Sequence, residues 1–235
     1  MATRMRPAEG YGGRPRRRRE AWSIDNPGNR AARRELLEAI EDAAAAEIAG
    51  TEPLLDCGCG TGWLLEALAE RGVAPERLHG VDRDAQRVAA ARERVPGARV
   101  AVGRADDLGY LEDMFAAVFF IVSLSSMDSY DAARTALVEA RRVLRPGGVA
   151  LCYEPRIPNP LNLSARLNLS TRRISRAALA GIEGLDMEAS RSLTLIPPLG
   201  RRLGRVTPRL HPVLSRVPVL RSHQLLILRE PLQTN

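Results

Sequence analysis

Leu54-Leu-Asp-Cys-Gly-Cys-Gly-Thr-Gly62 decides how this chain folds. Pro53 to Asp56 is a short apolar run of strand character, and Trp63 to Arg71 has helical spacing and ends at Gly72. Between them, Gly58, Gly60 and Gly62 let the backbone turn sharply and let a ligand approach with no Cβ in the way. The helix behind the bend offers unsatisfied N–H groups at its start. Dinucleotide-binding sheets also place a glycine-rich bend between strand and helix, so spacing must separate the two. Here the glycines stand at i, i+2 and i+4, whereas the dinucleotide fingerprint requires i, i+2 and i+5. Position i+5 is Trp63, too bulky for close helix–strand packing.

Outward from the bend, strand and helix signals alternate. Leu78–Asp82 reads as a second strand, Ala85–Arg94 as a helix and Arg99–Val102 as a third strand. The apolar run Ala117–Val122 is a fourth strand. A helix from Asp131 to Leu144 is stopped by Pro146-Gly-Gly148, and Val149–Tyr153 is a fifth strand. Upstream, the turn Asn26-Pro-Gly-Asn29 leads into a helix from Arg30 to Ala49, closed by Gly50. Its apolar face is Leu36, Leu37, Ile40, Ala44 and Ile48. Downstream, Ser175 caps a helix from Arg176 to Ile182, and Ser192–Ile196 and Gln224–Leu228 read as strands. Between those strands, Leu199 to Arg221 reads as short amphipathic helices forming a lid. The expected fold is α/β, Rossmann-like and doubly wound: a mostly parallel seven-stranded sheet with a helical lid inserted in the C-terminal third. Residues 1–20 form a flexible basic tail, 21–154 the core with its N-terminal helix, and 155–235 the lid and last two strands of the same domain.

On these residues the chain resembles the class I S-adenosylmethionine-dependent methyltransferases. Their first motif, an acid followed by Gly-x-Gly-x-Gly, falls on Asp56, Gly58, Gly60 and Gly62. Their ribose-binding acid falls on Asp82. Arg142-Val-Leu-Arg-Pro-Gly-Gly148 matches the family's lead-in to the fifth strand. The resemblance covers Leu54 to Tyr153 and implies S-adenosyl-L-methionine as cofactor. It implies a cofactor-binding set of Asp56, Gly58, Cys59, Gly60, Gly62, Asp82, Arg83, Ala105, Asp106 and Ser123. The physics agrees at Asp82, where a carboxylate can accept hydrogen bonds from both ribose hydroxyls. Two departures stand out. Gly103-Arg104-Ala105-Asp106 replaces the usual Gly-Asp-Ala, so adenine contacts are expected to pass to Asp106 and the Ala105 backbone. Phe115-Ala116 replaces the usual Phe-Asp. Loop drift and an altered adenine pocket both account for them.

The resemblance implies in-line transfer of a methyl group from a sulfonium, in which positioning carries much of the catalysis. An oxygen acceptor of high pKa also needs a general base. His211, His223 and Glu154 are the candidates, with His223 and Glu154 taken forward as the catalytic pair. Ser123 ends the fourth strand, where open α/β sheets place their ligand crevice. His79 reads as structural, and Trp22 packs either over the cofactor pocket or in the core. Cys57-Gly-Cys59 has no second ligand cluster of zinc spacing, so it reads as small residues filling a tight turn and no metal is expected.

Composition narrows the function classes. No uncharged apolar run reaches the roughly 18 residues of a membrane span. Met1-Ala-Thr-Arg-Met-Arg-Pro has no apolar stretch behind it, so no secretory signal is expected. Three cysteines argue for a reducing compartment, hence a cytoplasmic protein. The net charge of +7 is uneven: residues 155–235 hold 13 Arg against four acids, and none of those acids lies between Glu188 and Glu230. With Leu and Val interleaved among these Arg, the methyl group is expected to go to an oxygen, a nitrogen or a carbon of a small hydrophobic, lipid-like or anionic molecule in biosynthesis. Contact with a membrane surface fits the same composition. A nucleic-acid methyltransferase is the second class. The Arg-rich tail favours it, but Ser123-Leu-Ser-Ser-Met127 offers no stacking platform for a flipped base. A protein that binds the cofactor without catalysis is the third.

Overall fold

A computed structural model describes residues 25–156, 181–196, 199–202, 213–214 and 217–231. The tail of residues 1–20, Trp22, His211 and most of the expected lid lie outside them. Helix α1 (Pro27–Ala43) starts three residues before the expected Arg30. Pro27 sits in its first turn, and Asn26 caps it by accepting from the N–H groups of Gly28 and Asn29. The expected single helix breaks at Ala44, whose backbone leaves helical geometry, and resumes as α2 (Ala45–Ala49). Then follow β1 (Leu54–Cys57), α3 (Trp63–Ala69), β2 (Leu78–Asp82), α4 (Ala85–Arg94), β3 (Arg99–Val102), β4 (Phe115–Ile121), α5 (Tyr130–Val143), β5 (Leu144–Pro155), β6 (Asp186–Leu195) and β7 (Arg221–Arg229).

The seven strands form one sheet in the order β3-β2-β1-β4-β5-β7-β6. The first five are parallel, and β7 joins β5 antiparallel with β6 outside it. Two buried clusters, one on each face, account for the near-continuous apolar strands. Ile40, Leu65, Phe119 and Leu151 belong to one, and Leu55, Phe120, Leu137 and Leu226 to the other. From β1 the chain winds outward through β2 and β3, then returns to place β4 on the other flank of β1. The carboxyl ends of β1 and β4 therefore flank the switch point, where open sheets of this kind leave a crevice.

Boundaries further along the chain also differ from the sequence reading. β5 begins at Leu144, not Val149, because Leu144 already pairs with Phe115 across a register shift. β6 begins at Asp186, not Ser192: Asp186 pairs with Arg229 and Met187 with Leu228, although in its first half only Met187 and Ala189 are apolar and both stay partly exposed. Ile182 lies in an irregular turn instead of ending a helix, and residues 176–180 fall outside the described ones. Of the lid, residues 199–202 and 213–214 are helical, and Pro218–Leu220 is a 3-10 turn. Among the described residues no helix is long and apolar enough to cross a membrane.

Candidate functional site

The glycine bend after β1 is built as its residue types require. Gly58, Gly60 and Gly62 have φ of 82°, 55° and 78°, a region that L side chains rarely adopt. The N–H groups of Gly58 and Cys59 both donate to the Val81 carbonyl, at 2.7 and 3.0 Å, which ties the bend to β2. A second tie was invisible in the sequence. The Asp82 carboxylate accepts from the Gly60 N–H with Oδ2 and from the Asp84 N–H with Oδ1, both at 2.9 Å. Each oxygen keeps a lone pair for a ligand, so Asp82 staples the bend and still offers acceptors.

A cavity of about 280 Å³ opens at the carboxyl ends of β2 and β4. Of the expected cofactor-binding residues, Gly58, Asp82, Arg83, Ala105, Asp106 and Ser123 line it. Asp56, Cys59, Gly60 and Gly62 do not; they shape it from behind. Asp56 is buried in β1, and Cys59 packs against Gly80, where an added Cβ would lie 2.9 Å from its Sγ. Arg104 and Asp106, both on the wall, form a two-point ion pair at 2.9 and 2.6 Å. The acid expected to read adenine thus already answers a guanidinium. Arg83 and Asp128 pair across the rim at 3.1 Å, joining segments 45 residues apart.

At the end of β4 the chain turns abruptly. Val122 has φ of 56°, an outlier for a β-branched residue that costs on the order of 1–3 kcal/mol and persists only where neighbours enforce it. Its N–H donates to the Tyr153 carbonyl at 2.8 Å, and its carbonyl accepts from the Ser126 hydroxyl at 2.9 Å. The turn carries Ser123 against the glycine bend: a Cβ on Gly58 would lie 2.6 Å from that of Ser123. The Ser123 Oγ is buried and has no hydrogen-bond partner among the described residues. A satisfied fold does not leave a hydroxyl in that state without reason.

The expected catalytic pair sits elsewhere. Neither Glu154 nor His223 lines the cavity. His223 lies on β7, stacked on Tyr153 with ring centres 4.8 Å apart, and its Nδ1 shares a hydrogen with the Ser222 hydroxyl at 2.7 Å. Burial lowers its pKa to about 4, which suits a neutral packed ring better than a base facing an acceptor. Glu154 points its carboxylate at the backbone of Leu124 and Ser125. His79 packs edge-on against Tyr110 and Phe115, and burial lowers its pKa to about 4 as well. Cys57, Cys59 and Cys152 are buried thiols. Among the described residues no group of three His, Cys, Asp or Glu could hold a metal ion.

Asp56 carries a pH signature. Burial, and then the charge of Asp82, push its carboxyl from the ordinary 3.8 up to about 7. A folded-state pKa above the unfolded value means that the protonated group favours folding. That contribution is complete below about pH 4 and is lost as pH rises through about 7. Burial raises Glu154 to about 7 too, so both acids act in one window. Urea unfolding should therefore show the protein losing stability from pH 6 to pH 8. Asp56→Asn should reduce that loss by roughly 1 kcal/mol. Equal losses in the two proteins would refute this account of Asp56.

The comparisons with known proteins bear on the same segment. Residues 54–148 match a family model described as a methyltransferase domain. That segment begins at β1, spans the glycine bend and runs into β5. No curated protein matches the sequence. Among solved structures, the chain is similar to geranyl diphosphate C-methyltransferase from Streptomyces coelicolor A3(2), solved with geranyl diphosphate and S-adenosyl-L-homocysteine. Identity is 15%, over 83% of this chain and 77% of that one, with a TM-score of 0.62. It is also similar to an S-adenosylmethionine-dependent methyltransferase from Methanosarcina mazei, at 16% identity over 80% and 97% of the two chains and a TM-score of 0.61. A third, the [4+2]-cyclase SpnF, is 18% identical over 84% and 81%, with a TM-score of 0.60. At these identities the likeness concerns the fold.

Proposed function

We propose that this chain binds S-adenosyl-L-methionine in the cavity between the glycine bend and Ser123, and methylates an oxygen, nitrogen or carbon of a small hydrophobic or anionic acceptor. One observation carries the reading. The cavity at the switch point brings together a carboxylate with spare lone pairs, a glycine cradle that a Cβ would fill, and a buried hydroxyl with no partner among the described residues. The residues present fit this ligand. At about 280 Å³ the space lies at the small end of ligand pockets, which run from about 300 to 1,000 Å³, and suits an adenosyl group better than a dinucleotide.

When bound, S-adenosylmethionine supplies a methyl group activated by its sulfonium. Asp82 accepts from ribose hydroxyls, and the ties to Val81 and Asp82 hold the bend so that its backbone faces the ligand. Ser123 offers its hydroxyl where β4 meets β1. Ala105 and the Arg104–Asp106 pair face adenine, while the Arg83–Asp128 pair closes the rim. Asp56, Cys59, Gly60 and Gly62 act from behind by fixing the shape of the bend.

The acceptor class rests on the arginine excess after residue 155, and on a solved relative that binds geranyl diphosphate, a molecule both apolar and anionic. Two measurements test the reading. Calorimetry with S-adenosylmethionine should show saturable binding, and no heat would end the proposal. Label from methyl-tritiated cofactor, incubated with protein and cell extract, should enter the organic or small-molecule fraction. Label recovered in nucleic acid would overturn the acceptor class. Binding without transfer would leave a cofactor-binding protein that has lost the reaction.

A further inference from the structure

We propose that Glu154 is the positioning residue of this site: its carboxylate fixes the turn after β4 and thereby sets the Ser123 hydroxyl at the cavity. The inference rests on the cofactor reading above. Glu154 is the next-to-last residue of β5 and is 1% exposed. Its Oε1 accepts from the Leu124 N–H at 2.9 Å and its Oε2 from the Ser125 N–H at 3.2 Å. Leu124–Ser126 is the 3-10 turn that begins where Ser123 ends. The strained Val122 is thus pinned on both sides. Its own N–H is held by the Tyr153 carbonyl, and the residues after it are held by the next side chain along β5.

The chemistry singles out a carboxylate. No ion pair among the described residues compensates Glu154, and burial pushes its pKa upward against the hydrogen bonds of the turn. A lone buried acid is expensive, and a fold needing only a filled space would do better with an apolar side chain. What a carboxylate adds is two acceptor oxygens for two neighbouring N–H groups, which no neutral side chain of this size supplies. The output is the placement of Ser123: with the turn held, that side chain sits against Gly58 and lines the cavity, its Oγ without a partner among the described residues.

The test is a double-mutant cycle on S-adenosylmethionine affinity, read by calorimetry beside the melting temperature of each protein. Ser123→Ala should weaken binding about tenfold, as should Glu154→Gln, which keeps one accepting oxygen and turns the other into a donor facing an N–H. In the Ser123→Ala background, Glu154→Gln should add less than about twofold, because the group it positions is gone. Glu154→Ala should weaken binding more than Glu154→Gln; if the Ala protein does not fold, the Gln cycle decides alone. Additive losses totalling about a hundredfold would overturn the proposal. A lowered melting point for Glu154→Gln with unchanged affinity would do so too. If the unmutated protein binds no cofactor, both readings fall; if it binds and the cycle is additive, only this one does.

Discussion

Replacing Asp82 with alanine should weaken S-adenosylmethionine binding by at least about 100-fold in calorimetry, the largest loss expected from any single polar side chain here. The magnitude follows from two charge-assisted hydrogen bonds to ribose at about 1.5–3 kcal/mol each, taken at the lower end. The folded protein should tolerate the change far better than the ligand does. The variant strands the Gly60 and Asp84 N–H groups, but it also removes the charge that helps push Asp56 upward. Those effects oppose one another, so the melting temperature should fall by only a few degrees while binding collapses. Unchanged affinity in Asp82→Ala would show that the acid at the end of β2 does not hold the ligand.

Gly58→Ala should do the reverse and damage the fold itself. At φ of 82° an alanine costs about 1–2 kcal/mol. Its Cβ would meet that of Ser123 at 2.6 Å, a distance at which something must shift. Little can shift cheaply, because the turn carrying Ser123 is anchored by Tyr153 and Glu154, and forced overpacking adds about 1–3 kcal/mol. For a chain of this size the sum corresponds to a drop in melting temperature of roughly 5–20 °C. Gly60→Ala is the matched control. It also has positive φ, but an added Cβ meets nothing within 4 Å, so only the backbone cost applies. Equal melting temperatures for the two variants would remove the packing argument for Gly58.

The ties that hold the bend to β2, from Gly58, Cys59 and Gly60 to Val81 and Asp82, join residues more than 20 apart, beyond the reach of local pattern. The three glycines, Asp82 and the strand–helix alternation were legible because each is a local demand: a backbone that must reach positive φ, or an apolar period that must match one face. Glu154 and His223 are legible as titratable groups near strand ends, but their hydrogen-bond partners are not. Which way a side chain faces depends on cross-strand register, and register is a tertiary property. β6 was read short for the same cause. Its first residues alternate exposed polar side chains with the partly buried Met187 and Ala189, too weak a pattern to mark a strand without β7 beside it.

The sequence by itself determined the class of sheet, the position of the bend and the acid that faces it, since φ preference and hydrophobic period act within a few residues. Only the tertiary structure decided that Asp82 staples Gly60, that Arg104 occupies Asp106, and that the Glu154 carboxylate meets the backbone of the turn after β4. Those outcomes rest on hydrogen-bond partners 2 to 30 residues apart, whose meeting depends on how the chain turns and how strands pack. The energy of a buried polar group is set by the partner it meets, and the fold chooses that partner.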